Sequence, residues 1–249
     1  MPQALEVALI DVGGTLWPNS WPIRKEDGVG RRLRIRAAMP GIEPATVEAL
    51  ADDLIESSRP GDEARAISTE NKVSINSPAE MLITGCLSRC GLPADADTIR
   101  RIRRAMSIPV SDRMRPLPGA VELLAEIRDL GMRNVIASNT YWRDADSYWE
   151  DFRLLGMAEH VDGIITSVDA GHLKPHPAVF EMAMRWADVP AERCVVIGNR
   201  EENDIEPALA LGMRTILVYP DDPKPAASRA HATAPDLWAC ARAIREMAG

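Results

Sequence analysis

The residues Asp11-Val12-Gly13-Gly14-Thr15-Leu16 follow the apolar run Val7-Ala8-Leu9-Ile10. A carboxylate is thereby set where a buried strand stops and a tight glycine turn begins. Flanked by backbone amides, it can attack phosphorus or carbon and so divide one hard displacement into two easier ones. A neighbouring acid normally protonates the leaving group of such a reaction, yet two residues further on stands Gly13. Three more groups have the same character. Ser138-Asn139 ends the run Val135-Ile136-Ala137, Lys174 lies in the proline-rich stretch Gly171 to Pro177, and Gly198-Asn199 with Asp204 follows Val195-Val196-Ile197.

Chemistry of this kind needs a scaffold that brings strand ends together. The first strand, roughly Leu5 to Asp11, is nearly continuously apolar, as a strand buried on both faces of a parallel sheet should be. From Pro18 to about Asp112 no comparable run occurs, and the periodicity predicts helices over Pro44 to Ser57, Pro78 to Cys90 and Asp97 to Ser107. From Pro116 onward helices and strands alternate, the sequence mark of βαβ units. The expected strands are Asn134 to Ala137, Gly163 to Thr166, Cys194 to Ile197 and Thr215 to Val218. The expected helices are Gly119 to Leu130, Trp149 to Leu155, Pro177 to Trp186, Glu206 to Leu211 and a last one from Asp236. Pro220 to Pro235, rich in Pro, Ala and charge, reads as a surface connection before that last helix. The expected architecture is α/β, a Rossmann-like doubly wound parallel sheet core (residues 1–17 and 113–249) with an inserted, mainly helical cap domain (residues 18–112). Ligands of such sheets bind beyond the carboxyl ends of the strands, where the singled-out residues lie.

The chain has 249 residues, 46% hydrophobic, enough to bury a good core with an attached lobe. A net charge of −8 argues against nucleic acid as a partner. The one basic run, Arg31 to Arg36, reads as the solvated face of a helix, with anion binding as the other possibility. Four cysteines without CxxC spacing, no signal-like N-terminus and no long apolar stretch point to a reduced cytoplasmic protein with no membrane segment. Nothing indicates an oligomeric state. His172 and His176 flank Lys174, but a loop with two prolines gives no helical face to align them. Trp17, Trp21, Trp142 and Trp149 either line a pocket between core and cap or pack the two together.

Taken in order, the four groups resemble the motifs of the haloacid dehalogenase superfamily, most of whose members are phosphohydrolases. Asp11 to Leu16 is similar to DxDGTL, Ser138-Asn139 to the second motif, Gly171 to Pro177 to the lysine loop, and Gly198 to Ile205 to GDxxxND. The resemblance implies that Asp11 forms an aspartyl phosphate with a small organic phosphate. It implies that Thr15, Ser138, Asn139 and the amides of Gly13, Gly14 and Thr15 hold phosphate oxygens, and that Lys174 neutralises developing charge. It also implies a magnesium ion held by Asp11, the Gly13 carbonyl and Asn199, with Asp204 orienting a bound water. Two departures matter. Gly13 removes the general acid and base, a role worth about a hundred- to ten-thousand-fold. Asn199 replaces a carboxylate and should weaken magnesium binding. Glu201 or Glu202 could supply a missing carboxylate. Two other outcomes fit the same fold: a metal-independent haloacid dehalogenase, with Arg24 or Arg31 to Arg36 binding the substrate carboxylate, or a catalytically degenerate binding protein. DVGGT also resembles the phosphate motif of actin-like sugar kinases, but Trp17-Pro18 leads into helices rather than the expected β-meander.

Overall fold

The computed structural model describes residues 4–19, 25–58, 78–108, 110, 114–220 and 223–249. Six parallel strands form one sheet: β1 (Val7–Ile10), β2 (Arg133–Ser138), β3 (Gly163–Thr166), β4 (Cys194–Gly198), β5 (Arg214–Val218) and β6 (Ala232–Ala234), in the order β3-β2-β1-β4-β5-β6. The sequence steps from β1 toward β3 on one side and from β4 to β6 on the other, so the two directions part beside β1. Such a switch point opens a crevice at the carboxyl edge.

Side chains alternate across each strand. Ala8 and Ile10 face one cluster with Ile136, Val195, Ile197 and Ile216, covered by helices α5 (Ala120–Asp129), α6 (Ala145–Leu154) and α10 (Leu237–Ala248). Val7 and Leu9 face the other with Val135, Cys194 and Val196, covered by α8 (Ala178–Ala187) through Val179, Phe180 and Ala183. Burial on both faces is why these strands read as unbroken apolar runs. A single helical turn, α7 (Ser167–Ala170), leads out of β3, and α9 (Glu206–Ala210) precedes β5.

Between β1 and α5 lie α1 (Lys25–Ala38), α2 (Pro44–Ser57), α3 (Pro78–Arg89) and α4 (Ala96–Met106). They pack round their own apolar cluster, which includes Ile35, Leu50, Leu54, Ile83, Leu87, Ile102 and Met106. Among the described residues no helix is long and apolar enough to cross a membrane.

Three expectations need correction. The surface connection after Pro220 holds a strand that was not expected, because β6 pairs with β5 at the sheet edge; three small residues without a bulky apolar side chain gave no strand signal. The basic run lies in α1, which periodicity did not reveal, since arginines and two glycines hide its apolar face. The run is a solvated face only in part: Arg32 and Arg36, on the more exposed side, pair with Glu48, whereas buried Arg31 donates to Met106 O at 2.8 Å and Arg34 to the carbonyls of Ala105 and Ser107. Arg31 and Arg34 close the C-terminal end of α4, where unpaired carbonyls favour cations. Finally, His172 and His176 do meet, stacked with ring centroids 4.0 Å apart. Trp21, Arg24 and residues 111–113, which include the expected core boundary, lie outside the described residues.

Candidate active site

Ile10 pairs with both Ile136 and Ile197, so Asp11, Ala137 and Gly198 stand level at the carboxyl edge. Lys174 reaches that edge from the loop after α7. Its Nζ donates to Asp11 Oδ1 at 2.8 Å, to Ala137 O at 2.8 Å and to Asp204 Oδ1 at 2.5 Å. The ammonium is 2% exposed and the Asp204 carboxylate 1%, so this is a buried triad. Burial disfavours charge on every member. For Lys174 that penalty is outweighed by the two carboxylates, which hold the ammonium above its ordinary value. Asp204, facing one cation and a second carboxylate, is pushed up by burial to about 6 against the pull of Lys174.

Asp204 arrives through a wide π-helical turn, Glu201–Ile205, whose carboxylate also accepts from Arg200 N at 3.0 Å. Gly198 is required beneath it, because a Cβ there would collide with the Asp204 carboxylate. Gly14 adopts φ +75° with the Asn199 amide against it, so a larger residue would suffer both backbone strain and a clash.

The first loop closes on itself. Gly14 N donates to Trp17 O at 2.7 Å and Thr15 N to Val12 O at 3.1 Å, while the Thr15 hydroxyl lies 3.5 Å from Asp11 Oδ2. The Gly14 and Thr15 amides expected to hold a phosphate are thus used inside the turn. Asn139 is also engaged: it accepts from Lys174 N at 2.7 Å and donates to Lys174 O at 2.9 Å, and so clamps the lysine loop rather than pointing its amide at a phosphate. Ser138 stays at the strand end with its hydroxyl 3.4 Å from the Tyr148 hydroxyl. Glu201 is turned away to Ser228 Oγ and Arg229 N, both at 2.7 Å, and is not a replacement carboxylate.

The aromatics pack rather than line a pocket. Trp17 sits in the core edge-on to Tyr148, at 5.6 Å between centroids, and Trp149 packs against the same cluster. Tyr141 and Trp142, just after β2, join the helical cluster, with the Arg31 guanidinium 5.9 Å over the Trp142 ring. A second tie is ionic. Arg103 of α4, itself buried, donates to Asp144 at 3.1 Å and to Glu80 at 3.1 Å, and Arg104 donates to Asp146 at 2.6 Å.

Asp11, the Gly13 carbonyl, Asn199 and Asp204 offer oxygen donors only, which suits a hard divalent cation. Both polar atoms of the buried Asn199 amide lack a protein partner, as a group awaiting a ligand would. Two carboxylates and one amide are fewer acidic ligands than usual, and among the described residues no three His, Cys, Asp or Glu side chains cluster as a metal cage.

A parallel sheet of this order, with an aspartate, a lysine and a second aspartate joined at its carboxyl edge and helices inserted after the first strand, defines a hydrolase core of one family. The chain matches the haloacid dehalogenase-like hydrolase family over residues 5–212, and it belongs to that family. It is 32% identical over 106 residues, 42% of this chain and 45% of the relative, to a glyceraldehyde 3-phosphate phosphatase of Methanocaldococcus jannaschii. It is 28% identical over 128 residues, 51% of this chain and 52% of the relative, to a ribulose-1,5-bisphosphate 5-phosphatase of Halopiger xanaduensis. The chain spans about half the length of these curated relatives. Its backbone superposes on a 2-haloacid dehalogenase from Pseudomonas syringae pv. Tomato DC3000 with a TM-score of 0.57 at 19% identity, covering 98% of this chain and 99% of that one, which shows a shared fold.

Proposed function

We propose that the chain is a phosphatase of small organic phosphates with Asp11 as nucleophile. The observation that carries this reading is the buried Lys174 ammonium between Asp11 and Asp204: it leaves Asp11 Oδ2 without a cation of its own while holding positive charge where phosphoryl oxygens gain negative charge. Oδ2 attacks phosphorus, the ester P–O bond breaks, and the departing alkoxide takes a proton from water because Gly13 offers none. Water then attacks the aspartyl phosphate and loses a proton to solvent, the P–O bond to Asp11 breaks, and inorganic phosphate leaves. Thr15 and Ser138 would contact the phosphoryl group through their hydroxyls, and Asn139 would act through the lysine loop it clamps.

Asp11, the Gly13 carbonyl and Asn199 would hold magnesium, with Asp204 behind them. When bound, the ion would offset charge on the phosphoryl oxygens. Residues 1–17 and 113–249 would form the catalytic core, and residues 18–112 the cap that selects the substrate. The phosphatase names of the curated relatives and the four free thiols support a phosphate substrate and a reducing cytoplasmic setting respectively. Of the arginines named for the dehalogenase reading, Arg24 lies outside the described residues, and Arg31, Arg32, Arg34 and Arg36 are engaged with the helices around them, which does not favour a role in binding a substrate carboxylate.

Phosphate release from a panel of small organic phosphates, with magnesium and with chelator, tests the reading. Magnesium-stimulated turnover supports it. Turnover of a 2-haloacid in chelator, with no phosphate release from any ester, refutes it.

A further inference from the structure

The side chain that Gly13 lacks has a substitute. A Cβ built at Gly13 would come within 2.7 Å of the Asn19 amide, which therefore fills the space a second acidic residue would take. With its amide oriented to satisfy both neighbours, Asn19 donates through Nδ2 to Gly13 O at 3.0 Å and accepts through Oδ1 from Arg200 Nη2 at 3.0 Å. Arg200 is exposed, and its backbone N–H is bonded to Asp204. One end of this residue is thus fixed to the buried triad and the other is steered beside Gly13.

Neither group can act as a proton donor near neutral pH, since a carboxamide does not ionise and a guanidinium does not deprotonate. A guanidinium held by one N–H keeps its remaining donors for a carboxylate or a phosphate, which it binds through paired hydrogen bonds. Its neighbour Glu201 is turned toward Ser228 and Arg229 and does not neutralise it. With Arg200 counted, the two carboxylates of the site face two cations, so an anionic substrate meets no net repulsion there.

We propose that Arg200, aimed by Asn19, binds an anionic group on the leaving-group side of the substrate. The preferred substrates are then organic phosphates that carry a carboxylate or a second phosphate near the scissile ester. The inference rests on the phosphatase reading and deepens it.

Matched esters separate the two. Rates of phosphate release are measured for 3-phosphoglycerate against glycerol 3-phosphate, and for fructose 1,6-bisphosphate against fructose 6-phosphate. The expected result is a wild-type kcat/KM that favours the more anionic member of each pair. Arg200→Gln is expected to lower that preference by about tenfold or more, chiefly through KM, with Asn19→Ala acting in the same direction and Arg200→Lys restoring part of it. A wild type without the preference, or an Arg200→Gln variant whose preference stays within twofold of wild type, overturns this inference and leaves the phosphatase reading standing. A folded wild type that releases phosphate from none of the esters overturns both.

Discussion

At the scale of single residues, the site depends on charges that cannot be removed one at a time without consequence. Asp11→Asn is expected to reduce phosphate release by at least about a thousandfold, measured in steady state, while leaving the unfolding transition near its wild-type midpoint. Lys174→Met should behave differently, because it strands two carboxylates in a dry edge. Breaking a buried pair in this way costs about 3–5 kcal/mol, which urea titration would read directly. Gly13→Asp is the restoration the motif invites, but the Asn19 amide stands in its path. Hydrolysis of esters with poor leaving groups should therefore rise more in Gly13→Asp with Asn19→Ala than in Gly13→Asp alone; equal rates would mean that Asn19 yields freely. Asp11, Lys174 and Asp204, which meet at the carboxyl edge, were legible in the sequence because each lies in a patterned stretch downstream of an apolar strand run. Asn19 and Arg200 were not, since their pairing arises from a turn and a loop 181 positions apart that no periodicity connects.

Between elements, the tie from α4 to the start of α6 is sensitive to acid. Burial pushes the Asp144 carboxyl up, but bonds from Ser147 and the Arg103 guanidinium outweigh it and hold the group below the usual carboxylate range. A carboxylate with a lower pKa folded than unfolded contributes stability that is complete above its unfolded value, near 3.8, and is lost as the pH falls through the folded one. The gap in melting temperature between wild type and Asp144→Asn should therefore be complete above the unfolded value and close as the pH falls through the lower folded one; a gap independent of pH would assign the effect to packing alone. Strands with both faces covered announced themselves as apolar runs, whereas β6 and α1 did not. The former is too short and built of small residues, and the latter packs through buried Ile35 and through Arg31 and Arg34 reaching neighbouring carbonyls, tertiary contacts that local pattern does not carry.

For the whole molecule, a ligand that binds only the assembled site must raise the melting temperature by mass action. Magnesium at about a hundred times its dissociation constant would add about 2.7 kcal/mol, seen as an upward shift in calorimetry that Asp11→Asn and Asn199→Ala should diminish. An equal shift in both variants would place the ion elsewhere.

The four residues after β2 give the molecule a mechanical coupling. Asn139 grips the backbone of the Lys174 loop, while Tyr141 and Trp142, two and three positions later, are embedded among the inserted helices. A tilt of the helical lobe must therefore drag the same short segment that positions the ammonium. Any shift of the inserted helices and any shift of the charge beside Asp11 would then be one motion, transmitted along a peptide too short to absorb it.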